Sequence, residues 1–464
     1  MMLTAEEISS AIGARASNVP PDLAPNGYSI DSRTLNPGEC FVAIAGPNFD
    51  GHQFIPDALR KGAAAVIANS KSDYPLEPRW PVFFVDNTLI ALQRLARYLR
   101  RKWGGITIAI TGSTGKTTAK EIMATLLESR YRVFKSLGNF NNDYGLPLSI
   151  LKLNEGYNLA VLEMGMSHAG ELSRLCEIAE PNIGVVTNVR PVHLENFRSI
   201  SGIAQAKREL VESLPADGMA VLNNDDVRVR RFGKSFAGRV ITFGVEAAAT
   251  YKASERKSLG LDGSEFRLDY KSRGHLLKVP LIGDHNIYNC LPGIAVAHQL
   301  GLRFEVINQS LQKLKPVAGR GVVSHFREGF SVVNDSYNSN PAALKAMIVF
   351  LARAQGYQRK ILVAGEMLEL GEKSQQFHRD CGKLAASEKL NLIVGIQGEA
   401  RSLCSAAKAQ KGSVVETLFF ENSIDAGEWL SQQVKSGDLV VVKGSRGVRT
   451  ERVVEAIEKN HVTL

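Results

Sequence analysis

The 464-residue chain has little of what an exported or membrane-bound protein carries. Its five cysteines, Cys40, Cys176, Cys290, Cys381 and Cys404, are scattered and odd in number, and no C-x-x-C pair occurs. That pattern excludes a disulfide framework and a zinc knuckle and leaves buried, idle thiols. No apolar run approaches the ~18 residues that a membrane span needs. The N-terminus, MMLTAEEISSAIG, has acids where a signal peptide has bases, and Thr4 and Glu7 have capping-box spacing for a short helix. The expected location is the cytoplasm. Aromatic residues make up only 7% of the chain and its bases are dispersed, so the net charge of +9 forms no basic stripe with stacking rings. Such a stripe is what a nucleic-acid groove requires, and no nucleic-acid partner is expected. The densest basic stretch, RYLRRKW at 97–103, reads as a solvated helix end near a domain junction.

What is present is a long alternation of short apolar strands and helical patterns, the signature of parallel sheets with crossover helices. The length is too great for one core and predicts about three domains. A first α/β unit covers 1–102, with a strand at 40–45 followed by a Gly/Asn/Asp-rich loop, a helix and another strand. A central unit covers 103–316, with strands near 159–163, 183–187, 219–222 and 240–243 and a polar hairpin or loop at 246–264. Pro316 precedes a third unit, 317–464, with strands near 330–334, 360–365, 392–396 and 439–442.

The stretch AITGSTGKTTAKE at 109–121 carries the clearest chemistry. A strand, ITIAI, runs into Gly112, Ser113, Thr114, Gly115, Lys116, Thr117 and Thr118. A helix follows, with Ile122, Met123, Leu126 and Leu127 on one face. Unpaired backbone N–H groups and a positive helix end invite a phosphate, and glycine lets it approach closely. Lys116 adds a point charge and Thr117 a hydroxyl for Mg²⁺. The spacing departs from G-x-x-x-x-G-K-[ST], whose first glycine would fall at Ile110. The loop is therefore a variant, and its strand-before, helix-after setting distinguishes it from an ordinary turn. The ligand it calls for is a nucleoside triphosphate.

Other candidates are weaker one by one. LAVLE delivers Glu163 at the end of an apolar strand, where a Mg²⁺ ligand of a phosphate-binding fold sits. His193 lies in a loop just past a strand, with His168 as a competitor that spacing does not eliminate. Lys207 falls inside a helix and by itself reads as a solvent-facing lysine. Asn286 and Asn289, three apart, share a helix face; their amides suit an adenine edge but also cap helices. The clusters VNDSYNSNP, GRG at 319–321 and KGSR at 443–446 can each be turn chemistry.

Taken in order, TGSTGKTT, GNFNNDYGLPLSIL, EMG, TNV..VHLENF, AK.EL, GDHNIYN, DSYNSNP, GEMLELGE and KGSR resemble the Mur ligases over essentially the whole chain. GNFNN, DSYNSNP and EMLELGE are most similar to the branch of that family that adds D-alanyl-D-alanine. The absence of a D-N-P-R motif argues against the diamino-acid-adding branch; a folylpolyglutamate-type ligase on the same fold is the other relative to weigh, and a P-loop ATPase acting on nucleic acid is the alternative of another class.

The resemblance implies an N-terminal UDP-substrate domain, a central P-loop ATPase domain and a Rossmann-like C-terminal domain. It implies ATP and Mg²⁺, UDP-N-acetylmuramoyl-tripeptide and D-alanyl-D-alanine as substrates, an acyl phosphate intermediate, and a monomer. By similarity, Thr117 and Glu163 hold one Mg²⁺, His193 helps hold a second, and Lys207 matches the lysine that the family carbamylates. Asn286 and Asn289 match an adenine-facing pair, and Arg320 and Asp335 match residues that reach the γ-phosphate and ribose. Asn139, Asn141, Asn142, Tyr337 and Asn338 match substrate-handling positions, and Ser32 and Arg33 the UDP site. Lys116, Lys207, His193 and Arg320 are the expected catalytic set. The chain departs from the pattern at Glu366, more often Asp, at 190–192, where smaller residues are expected, and at Ser339, commonly Ala.

Overall fold

The computed structural model describes residues 1–46, 49–138, 140–191, 196–197 and 199–464. Two expected site residues, Asn139 and His193, lie outside the described residues. Strands are organised in three sheets of five, nine and six strands. The apolar runs read from the sequence form the parallel strands, because a strand covered by helices on both faces must be apolar on both. Leu159–Glu163 and Leu392–Ile396 are buried at every position.

In the first sheet, Arg15–Ser17 lies antiparallel at one edge and four parallel strands follow, from Val82–Val85 to Gly27–Ser29. The expected capping box is present: Glu7 N–H donates to Thr4 Oγ1 at 3.2 Å, and Thr4 N–H donates to Glu7 Oε2 at 3.1 Å. The third sheet has one antiparallel edge strand, Val322–His325, and five parallel strands, Ser331–Asp335, Asp438–Lys443, Arg359–Gly365, Leu392–Ile396 and Glu416–Phe420. All five cysteines are free and buried.

The central sheet positions the site. Ile106–Thr111 lies between Leu159–Glu163 on one side and Ile183–Val186 on the other, all parallel. The chain leaves Ile106–Thr111 toward one edge, through Val133–Lys135 and Leu159–Glu163, and then returns to the opposite side. This is a switch point, where the loops after adjacent strands splay apart and leave a crevice. The phosphate loop, EMG and TNV motifs all follow strands at this crevice. The polar segment expected as a hairpin or loop belongs to an antiparallel meander, Tyr251–Ser258, Ser264–Tyr270 and Arg273–Val279, which extends the sheet.

The basic stretch 97–103 is solvated only in part: Arg101 and Lys102 are exposed, while Arg100 is buried. The stretch ends the helix Thr88–Trp103, and Arg100 is 6% exposed. Arg100 Nε donates to Ala179 O at 2.9 Å and its Nη2 to Glu180 O at 3.1 Å. Arg97 and Arg101 both pair with Glu180. Leu92, Leu95 and Leu99 of this helix share one apolar core with Leu172 and Leu175 of the central unit. The sequence pattern missed this because the partners are carbonyls at a helix C-terminus some 80 residues away, where a guanidinium answers unpaired acceptors. We expect Arg100→Ala to leave one buried and one half-buried carbonyl without this donor and to destabilise the unit carrying this helix by about 2–3 kcal/mol. Urea unfolding checks this; an unchanged midpoint contradicts it.

Candidate functional site

The phosphate loop needs both of its glycines. Gly112 has φ +152° and a Cβ there would overlap Thr187 Oγ1; Gly115 has φ +82° and a Cβ there would overlap Asn289 Oδ1. The helix Lys116–Leu127 starts on Gly115 without a side-chain cap, which leaves its first N–H groups for a ligand. Ile122, Met123, Leu126 and Leu127 are buried, as their spacing predicts. Asn188 and Thr187, from the TNV motif on the neighbouring strand, brace the loop. Asn188 Oδ1 accepts from Thr114 N–H at 3.0 Å, and Thr187 Oγ1 donates to Thr114 O at 2.7 Å. Ser113 is tied to the same neighbour, accepting from Arg190 N–H at 2.8 Å. Sequence reasoning missed Thr187 and Asn188, because only strand adjacency brings 187–188 to 113–114.

Glu163 is 3% exposed at the end of its strand. Asn141 Nδ2 donates to its Oε1 at 2.8 Å, while its Oε2 is buried without a hydrogen-bond partner among the described residues. Glu163 N–H donates to Ser136 Oγ at 3.1 Å. Lys120, 0% exposed, donates to Ser136 O at 2.6 Å and fixes that segment from below. Asn141 thus faces the carboxylate, where sequence similarity expected it to face substrate. Its backbone carbonyl also accepts from Gly165 N–H at 2.8 Å, just past the EMG turn. Asn142 precedes the helix Gly145–Ile150, and its Oδ1 accepts from Gly145 N–H at 2.9 Å.

An orphaned buried carboxylate oxygen is costly unless a cation meets it. The Thr117 hydroxyl and Glu163 carboxylate are hard oxygen donors suited to Mg²⁺, which keeps other positions for phosphate and water. Among the described residues no group of three His, Cys, Asp or Glu side chains gathers. The donor set therefore fits an ion completed by nucleotide oxygens. If Asn141 holds Glu163 in this orientation, Asn141→Ala should weaken the apparent Mg²⁺ affinity roughly 10–100-fold, in the range of lost metal-orienting contacts. Titration of Mn²⁺ in the presence of nucleotide, followed by electron paramagnetic resonance, reads this directly; unchanged affinity contradicts it.

Three cationic side chains approach the loop. Lys116 Nζ donates to Gly112 O at 2.8 Å. Burial holds its ammonium below the ordinary lysine value; Glu163 opposes that shift and Arg320 adds to it. Lys207, on the helix Ile200–Glu212, is 2% exposed and not the solvent-facing lysine its isolated context suggests. Burial, and after it Lys116, lowers its affinity for a proton well below the ordinary lysine value. Arg320 comes from the segment that precedes the third sheet. Its Nη2 donates to Thr117 Oγ1 at 3.2 Å, its guanidinium stacks 4.2 Å from the Tyr337 ring centroid, and its buried Nε has no partner among the described residues.

Asn286 and Asn289 do share one face: Asn289 Nδ2 donates to Asn286 Oδ1 at 2.9 Å. Asn286 also donates to Ile282 O at 2.8 Å. Asp335 pairs with Lys443 at 2.6 Å, and Lys443 donates to Asn338 O at 2.9 Å. Asn338 Oδ1 is engaged by Ser339 N–H at 2.8 Å. Lys443, from the KGSR cluster, and the adjacent His285, from GDHNIYN, whose basicity burial lowers, complete this corner; the sequence flagged their motifs but gave neither residue a role. Ser32 is buried, and Arg33 is exposed and paired with Asp31 at 2.8 Å, away from the phosphate loop in the first unit. His168 contacts Glu171 at 3.2 Å on the surface.

The Mur ligase middle domain matches residues 110–297, the Mur ligase glutamate ligase domain 319–446, and the Mur ligase catalytic domain 26–100. The chain belongs to the Mur ligase family. Curated relatives that it matches carry the MurF name: UDP-N-acetylmuramoyl-tripeptide–D-alanyl-D-alanine ligase of Bacillus subtilis (strain 168) is 32% identical over 430 residues, 93% of this chain and 92% of that one. MurF of Thermotoga maritima in complex with ADP superposes with a TM-score of 0.81 at 32% identity, covering 94% of this chain and 97% of that one. MurF of Acinetobacter baumannii superposes with a TM-score of 0.89 at 26% identity over 99% of both chains.

Proposed function

We propose that the protein joins D-alanyl-D-alanine to UDP-N-acetylmuramoyl-tripeptide at the expense of ATP, in cytoplasmic peptidoglycan precursor synthesis. The observation that carries the reading is the convergence of Lys116, the orphaned Glu163 oxygen, Lys207 and Arg320 on one phosphate loop. The names of the relatives support the two substrates, and the ADP-bound neighbour supports the nucleotide. Segments 1–102, 103–316 and 317–464 are read as the UDP-substrate, ATP and ligase domains. The arginines at 97, 100 and 101 are engaged within the chain by Glu180 and nearby carbonyls. The reading includes no nucleic-acid partner and a monomer.

A carboxylate is a poor electrophile, so its oxygen attacks the γ-phosphorus, the bond to ADP breaks, and an acyl phosphate forms. The dipeptide amine then attacks the acyl carbon; phosphate leaves, and the amine loses a proton as the amide forms. Lys116 and Arg320 stabilise charge that grows on the transferred phosphoryl group. Thr117 and Glu163 would hold Mg²⁺, with His193 and Lys207 at a second ion; the ions offset repulsion between nucleotide and substrate anions. Lys207 is read as carbamylated: its neutral amine adds to CO₂, an N–C bond forms and one proton leaves. Asn286 and Asn289 are assigned to adenine, Asp335 to ribose, Ser32 and Arg33 to UDP, and Asn139, Asn142, Tyr337 and Asn338 to the peptide substrates. Incubation with ATP, Mg²⁺, the UDP-tripeptide and D-alanyl-D-alanine, with mass detection, should yield the ligated pentapeptide only when all are present. Nucleotide hydrolysis that ignores both peptide substrates contradicts the reading.

A further inference from the structure

The strand Met219–Asn223 lies parallel beside Ile183–Val186 and runs into NNDD, residues 223–226, so the turn after it meets the TNV segment. Asn223 is 4% exposed and Asp226 6%. Asn223 Nδ2 donates to Thr187 O at 2.8 Å. Asp226 divides its two oxygens. Oδ1 closes its own turn, accepting from Arg228 N–H at 2.9 Å and from Val229 N–H at 3.3 Å. Oδ2 reaches 37 residues back along the chain and accepts from Val189 N–H at 2.8 Å. The local turn needs only the first oxygen; the second holds another loop. A buried carboxylate met by three backbone N–H groups is a strong and oriented acceptor.

The segment held in this way is the one that grips the phosphate loop. Thr187 Oγ1 and Asn188 Oδ1 both bond to the backbone of Thr114. Ser113 N–H donates to Asn188 O at 2.9 Å, and Ser113 Oγ accepts from Arg190 N–H. Residues 113–114 are thus fixed by 187–190, and 187–190 in turn by Asn223 and Asp226. Two glycines leave the phosphate loop soft by itself. It keeps its binding shape only as far as this brace is fixed, and the apparent nucleotide affinity falls by the fraction of that shape that is lost.

We propose that Asp226 and Asn223 are positioning residues for ATP, which act through 187–190 to hold the phosphate loop in its binding shape before nucleotide arrives. The proposal rests on the nucleotide-binding part of the ligase reading. The test measures Mg²⁺–ATP affinity by calorimetry, with steady-state kinetics, in wild type, Asp226→Asn, Asn223→Ala, Asn188→Ala and the double variant Asp226→Asn/Asn188→Ala. An amide has one oxygen, and two of the three donors lie at Oδ1. Asp226→Asn therefore keeps its turn and points its NH₂ group at Val189 N–H. It should weaken ATP binding and raise KM for ATP roughly 10-fold, as loss of a charged hydrogen bond does. Saturating ATP restores the loop, so kcat and KM for the dipeptide should change little. Asn223→Ala should shift the same constants in the same direction. Because Asp226 acts through the segment that carries Asn188, the double variant should lose less than the product of the two single losses. Folded Asp226→Asn and Asn223→Ala with wild-type ATP affinity, even at a lowered unfolding midpoint, overturn the proposal; so do single losses that multiply fully in the double variant. Should Asp226→Asn not fold, Asn223→Ala with and without Asn188→Ala gives the same two readings. A wild type that binds no ATP overturns the nucleotide reading and the brace together, whereas one that binds ATP but joins no dipeptide overturns the ligase reading alone, and the affinities still decide the brace.

Discussion

Lys116→Ala is expected to lower turnover by about two to three orders of magnitude while the protein stays folded. The lysine is half-buried and, among the described residues, its side chain bonds only to a carbonyl of its own loop, so its removal costs little stability. Its ammonium acts when negative charge develops on the transferred phosphoryl group. A preorganised electrostatic stabiliser of that kind contributes ~3–4 kcal/mol to the barrier. Asn188 and Thr187 keep the loop in shape without it, so nucleotide should still bind. Steady-state turnover with circular dichroism as the folding control checks this. A folded variant at near-normal rate removes Lys116 from the mechanism.

The second large effect is expected at Lys207. A free lysine with pKa near ~10.4 is almost wholly protonated at neutral pH and does not add to CO₂. Burial beside Lys116 shifts Lys207 downward, so its neutral, nucleophilic fraction at neutral pH rises. Reactivity is lost as pH falls through that lowered value, because the amine then binds a proton. Once formed, the carbamate is an anion next to Lys116, which favours it. Lys207→Ala should abolish measurable ligation, and high acetate should restore part of it by supplying the missing carboxylate. Lys207→Arg should not respond, since a bulky permanent cation still fills the site. Labelled bicarbonate should give a carbamate carbon signal in wild type and none in either variant. Ligation at the normal rate by Lys207→Ala contradicts the assignment.

The sequence exposed those parts of the fold whose cause is local. Strands buried on both faces read as apolar runs, and Gly112, Gly115 and Lys116 announce their loop because the turn admits few other residues. Glu163 was legible from its place at a strand end. Parts that depend on contact between distant segments were not. Asn141 looks like any loop asparagine until Val133–Lys135 is laid beside Leu159–Glu163. Lys120 and Lys207 look like helix-surface lysines, and Arg100 like a solvated base, because helical spacing does not say which polar face another element covers. The hairpin alternative for 246–264 holds, but its third strand and its place in the central sheet were hidden by a polar outer face, where strands alternate instead of running apolar. His193 and Asn139 fall outside the described residues, so their roles rest on similarity alone.

The most direct test follows one oxygen atom. The tripeptide carboxylate is labelled with ¹⁸O, the complete reaction is run with unlabelled ATP and D-alanyl-D-alanine, and the released phosphate is analysed by mass. An acyl phosphate hands a carboxylate oxygen to phosphorus, so the account predicts label in inorganic phosphate in proportion to amide formed. Amide formation with unlabelled phosphate would contradict it.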